Sequence, residues 1–111
     1  MKPRHVLTIV IFGCMLTMVP LAFAVSQHVA EAILHAQAAA QQGQQGYPDE
    51  LVQHAREALE HAEMARQDTT SPHLDEGIKE LREAVKEARN GYTTEAVEEV
   101  EEAIKHLSAI Q

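Results

Sequence analysis

Four stretches of the chain repeat one arrangement of donor side chains. His28 to Ala36 reads His-Val-Ala-Glu-Ala-Ile-Leu-His-Ala, and His54 to Ala62 reads His-Ala-Arg-Glu-Ala-Leu-Glu-His-Ala. Glu80 to Ala88 and Glu99 to Leu107 follow the same pattern with glutamate at one or both outer positions. Imidazole is the commonest protein metal ligand and binds through a neutral ring nitrogen. Two histidines seven residues apart on a helix share a face but stand ~10 Å apart, too far to chelate one ion alone. The glutamate between them closes the gap. Glu31 is three residues after His28 and four before His35, and Glu57 stands likewise between His54 and His61. Side chains at those spacings are neighbours on one helix. Each unit therefore offers His–Glu pairs of the kind that bundle metal sites use.

The units must sit on helices for this to hold, and the rest of the pattern puts them there. Apolar residues fall at offsets 1, 4, 5 and 8 of each unit, which gives one core-facing stripe with the histidines beside it. Between breaks the chain is rich in Ala, Glu, Leu, Gln, Lys and Arg, all good helix formers. Gly43 to Pro48, Asp68 to Pro72 and Asn90-Gly91 are the breaks, and Pro48 and Pro72 suit a first helical turn. Four helices are expected near 26–43, 48–67, 72–89 and 93–110. No stretch alternates with period two, so no strand is expected. The second half also repeats the first at an offset of 45 residues. Ser26, His28, Glu31 and Ile33 fall on Ser71, His73, Glu76 and Ile78. Gly46-Tyr47 falls on Gly91-Tyr92, and Glu57, Ala58 and His61 on Glu102, Ala103 and His106. The expected fold is all-α: an antiparallel up-down four-helix bundle of two duplicated hairpins, residues 25–67 and 70–111.

Counting outward from each turn predicts which donors meet across a hairpin. About Gly46, His35 faces His54 and His28 faces His61. About Gly91, His73 faces His106, and Glu80 and Glu99 take the places of His35 and His54. The candidate metal ligands are His28, Glu31, His35, His54, Glu57, His61, His73 and His106.

The N-terminus sets the compartment. Lys2 and Arg4 precede an apolar run from Val6 to Leu21 that closes on Ala22-Phe23-Ala24. This is the pattern of a secretory signal cleaved after Ala24, and the run is shorter than the ~20 residues of a spanning helix. Ile11-Phe12-Gly13 before Cys14 fits a lipidation site poorly. Cleavage takes Lys2, Arg4, His5 and the only cysteine, and no acid, so the net charge goes from −8 to −10 with neutral histidines. A chain so acidic does not seek nucleic acid or an anionic membrane. The expected product is periplasmic, without disulfides, not stably membrane-associated, and a monomer or weak homodimer.

The same units, in an exported four-helix chain of this length, resemble the small metal-binding protein family, periplasmic histidine-rich bundles built from heptad repeats. The resemblance covers residues 25–111 and is best over His28–Ala36 and His54–Ala62. It implies reversible binding of divalent transition metals, copper (Cu²⁺) above all, and a buffering or scavenging role. It carries to His28, His35, His54, His61, His73 and His106. The chain also departs from the family pattern, with glutamate at positions 80, 87 and 99, tyrosine at 47 and 92 and no histidine-rich C-terminus. Glutamate oxygens are harder ligands than imidazole, which shifts preference from Cu²⁺ and Ni²⁺ toward Zn²⁺.

An enzyme is not expected: there is no Gly-rich phosphate loop and no serine in a recognisable elbow, and the cysteine leaves with the leader. A di-iron centre needs inward Glu-x-x-His motifs. None occurs, and Glu31 and Glu57 read as outer-face residues. The competing reading is a structural or interaction bundle in the periplasm that binds no metal. It rests on an interior dominated by alanine, which buries little area per residue.

Overall fold

The computed structural model describes residues 26–110. The expected signal segment, residues 1–24, lies outside them. Helix α1 runs Gln27–Gln44, α2 Pro48–Ala65, α3 Pro72–Arg89 and α4 Thr93–Ser108. Each packs against two neighbours in the ring α1–α2–α3–α4–α1, the closed four-helix bundle that the short connections require. Among the described residues no strand occurs, and no helix is long and apolar enough to cross a membrane.

The two hairpin turns are built alike. At the first, the Gly46 N–H donates to Gly43 O and the Tyr47 N–H to Gln42 O. At the second, the Gly91 N–H donates to Ala88 O and the Tyr92 N–H to Glu87 O. Gly46 and Gly91 hold φ of 84° and 88°, the left-handed conformation that such helix ends demand. The connection between the hairpins differs. There Ser71 caps α3 by accepting from the His73 N–H at 3.2 Å, with Pro72 as the first helical residue.

The helix ends depart from expectation in three places. Helix α2 stops at Ala65, two residues early, because the Arg66 and Gln67 N–H groups already turn back onto Glu63 and Met64. Helix α4 ends at Ser108 rather than 110, with the Ala109 and Ile110 N–H groups bonded back to its last turn. Helix α1 runs one residue past the expected 43, to Gln44, so that Gly43, the first residue of the break, is buried in its last turn. A Cβ there would collide with the side chains of Leu51 on α2 and Val97 on α4. Glycine at this point lets three helices close together.

The interior is wholly apolar, with no buried polar or charged residue among the described residues. Its two halves are unequal. The first hairpin contributes mostly alanine (Ala32, Ala36, Ala39, Ala55, Ala58, Ala62), with Val29 and Leu51 as its large buried side chains. The second contributes Leu74, Ile78, Leu81, Val100 and Leu107. Small residues on one side receive large ones from the other. At the α2–α3 end Glu63 pairs with both Arg66 and Arg82, and Arg66 reaches Asp75 at 3.2 Å. These exposed pairs contribute at most about 1 kcal/mol each and serve mainly to orient the connection.

Candidate metal centre

The apolar stripes face inward, so the donors at the stripe margins meet along the outer edge of each hairpin. Along the α1–α2 edge four imidazoles form a ladder. His28 and His61 have ring centroids 5.9 Å apart, His61 and His35 5.3 Å, and His35 and His54 6.3 Å. The pairs 28/61 and 35/54 are those the turn count predicts. The His61–His35 contact is not, because that count ranks residues by distance from the turn and ignores that a ring midway between two rungs touches both. On the second hairpin His73 and His106 stand 5.8 Å apart, again as the count predicts.

The glutamates join the ladder. Three groups of donors among the described residues bring three ligand atoms within 4.8 Å of one another: Glu31–His35–His61, His35–His54–Glu57, and Glu76–Glu80–His106. Bonds of ~2.0–2.1 Å to one ion hold its ligands ~3–4 Å apart, so small side-chain rotations close each group. The tightest approach is already made, with His35 Nδ1 2.9 Å from Glu57 Oε2. Glu31 and Glu57 are half-buried beside the rings and not on outer faces. The outer-face reading took them as solvated, but positions three and four residues from a seam histidine wrap back over it.

Unsatisfied nitrogens mark the same edge. Nδ1 of His28, His54 and His61 is closed off from solvent and has no hydrogen-bond partner among the described residues. A buried polar atom left without a partner costs about 1–3 kcal/mol. An ion that takes this nitrogen, or a ring turned outward to ligate, removes that cost. The donor set therefore fits a borderline divalent metal: two imidazoles and one carboxylate in each group of the first hairpin, with solvent reaching the half-buried side chains.

Six of the eight expected ligands fall in three-donor groups; His28 and His73 do not, although the ring of each lies tilted beside a histidine that does. Glu76 and Glu80 were not among the expected donors. The signal was present, because at the 45-residue offset Glu76, Glu80 and His106 overlie Glu31, His35 and His61. The third group is thus the duplicate of the first. The duplicate of the middle group, Glu80–Glu99–Glu102, is all carboxylate, and only its Glu80 is shared with a mixed-donor group. The Glu99 carboxyl is pushed up to about 7, first by its hydrogen bond with Glu80, then by burial and by the charges of Glu80, Glu83 and Glu102. Lys105 holds Glu102 at 2.9 Å and lowers its pKa through that hydrogen bond and charge.

A small helical bundle with His/Glu donor groups along its hairpin edges belongs to the class of proteins that hold metal ions on a preformed scaffold. The chain belongs to the small metal-binding protein family, whose family model matches residues 4–110, and metal binding is the family's property by its description. Comparison with curated proteins gave no match.

Proposed function

We propose that the protein binds copper(II) along the α1–α2 edge and serves as an exported, periplasmic metal buffer or scavenger rather than as an enzyme. The observation that carries this reading is the unbroken ladder His28–His61–His35–His54, with shielded, unpartnered Nδ1 atoms on three of its four rings. Imidazole-rich sites follow the order that places Cu²⁺ above Ni²⁺ and Zn²⁺. Half-buried donors on an edge exchange an ion with solvent readily, which suits buffering. An apolar N-terminal segment ending in Ala-x-Ala supports export. Zn²⁺ and Ni²⁺ are the next candidates, and the working form is a monomer or weak homodimer.

Calorimetric titration of Cu²⁺ and Zn²⁺ near pH 7 tests the assignment. Saturable copper binding, micromolar or tighter and stronger than zinc binding, is the expected result. Replacing His54 and His61 together is expected to weaken it more than replacing His73 and His106 together. Weak binding that salt abolishes would return the histidines to ordinary surface residues and leave a structural bundle.

A further inference from the structure

The third donor group differs in kind from the other two. Glu76 and Glu80 lie four residues apart on α3 and so share a face, and His106 meets them from α4. The group mixes both donor types, so it is not merely an acidic patch. Its three positions, moved back 45 residues, are the positions that close the Glu31–His35–His61 group. The backbone geometry that assembles three donors is therefore present twice, and only the side chain at the His35 position has changed, to Glu80.

That one change alters the chemistry. The first-hairpin group offers two imidazoles and one carboxylate, whereas the second offers one imidazole and two carboxylates. Two carboxylates neutralise a divalent ion, and oxygen donors favour harder cations that keep waters as further ligands. Glu76 is exposed, so water has access to the remaining positions. Glu76 and Glu80 are like charges one helical turn apart, an arrangement that costs a bare helix stability. The lysine beside them, Lys79, reaches Glu76 only at 4.0 Å across an exposed contact, too loosely to cancel that repulsion. A divalent cation between the carboxylates turns it into a ligand pair.

We propose that Glu76, Glu80 and His106 form a second metal site, selective relative to the α1–α2 edge for harder divalent cations of the Mn²⁺ type. Copper remains the stronger binder at any such site in absolute affinity. The selectivity lies in which edge each ion fills first. The second hairpin supplies it independently of whether copper is the cargo of the first.

Paramagnetic broadening of assigned histidine ring signals reads the two edges separately. Substoichiometric Mn²⁺ is expected to broaden His106 and its ring neighbour His73 before His54 and His61. Substoichiometric Cu²⁺ is expected to broaden His54 and His61 first. The double variant Glu76→Gln, Glu80→Gln keeps size and helix propensity, and circular dichroism checks that its helices persist. It is expected to raise the Mn²⁺ dissociation constant read at His106 at least tenfold and to leave the copper response of His54 and His61 unchanged. Mn²⁺ that fills the first hairpin first, or a His106 response that survives the double variant, would overturn the proposal. Copper that fails to broaden His54 and His61 would instead count against the copper reading, with the Mn²⁺ response of His106 still deciding this one.

Discussion

His35 is common to both three-donor groups of the first hairpin, and its ring lies between those of His61 and His54. Replacing it with alanine removes a ligand from both groups at once. His35→Ala is therefore expected to weaken copper binding more than His28→Ala, which is a member of neither group, and equal losses in parallel titrations would show that no ring is shared. The three cross-hairpin histidine pairs were legible in the sequence because a short turn fixes the register of an antiparallel pair. The sharing of His35 was not, because it depends on ring orientation, which spacing does not encode. Glu99 carries a different residue-scale consequence. Its pKa is raised to about 7 in the fold, above its unfolded value, so the stability from its shared proton with Glu80 is full below ~4.5 and is lost as pH rises through 7. Glu99→Gln keeps the hydrogen bond to Glu80 at every pH. Denaturation of both proteins between pH 5 and 8 is expected to show the variant the more stable at pH 8, with the difference closing toward pH 5. A gap independent of pH would mean that the two carboxyls do not share a proton.

At the scale of the helices, composition and breakers located all four elements, and the second hairpin's ends at Arg89 and Thr93 fall where Asn90-Gly91 and the repeat place them. Gly43 shows where such reading stops. A glycine near a turn reads as punctuation, yet this one is helical and buried, and the reason lies on other helices: Leu51 and Val97 fill the space a Cβ would take. Gly46, three residues further on and with open space about its Cβ, is needed only for its left-handed φ. The two substitutions to alanine separate these causes. Gly43→Ala is expected to cost about 1–3 kcal/mol through overpacking, as the helices shift apart. Gly46→Ala is expected to cost about 1–2 kcal/mol through backbone strain alone. Compensation distinguishes them beyond magnitude: Val97→Ala, made together with Gly43→Ala, should recover part of the Gly43 loss and none of the Gly46 loss in urea denaturation.

The whole molecule is a duplicated hairpin whose halves have diverged in both core and edge. The first half has the histidine ladder and an alanine interior, while the second has glutamate at two of the four ladder positions and carries most of the large buried side chains. Alanine side chains bury little area, at ~25 cal/mol per Å², so α1 and α2 gain less from packing than α3 and α4. The half that holds the histidine ladder is thus the half with less core of its own, and the unpartnered Nδ1 atoms lie on it as well. An ion that binds only the folded edge stabilises by RT ln(1 + [L]/Kd), about 2.7 kcal/mol at a hundredfold excess over Kd. Because the ion links α1 to α2, that gain should fall first on openings that separate those two helices. Amide hydrogen exchange is expected to show faster exchange in α1 and α2 than in α3 and α4 without metal, and copper is expected to slow the first pair selectively. Equal slowing in all four helices would mean that the bundle opens only as one unit, and that the alanine half is not the weaker one.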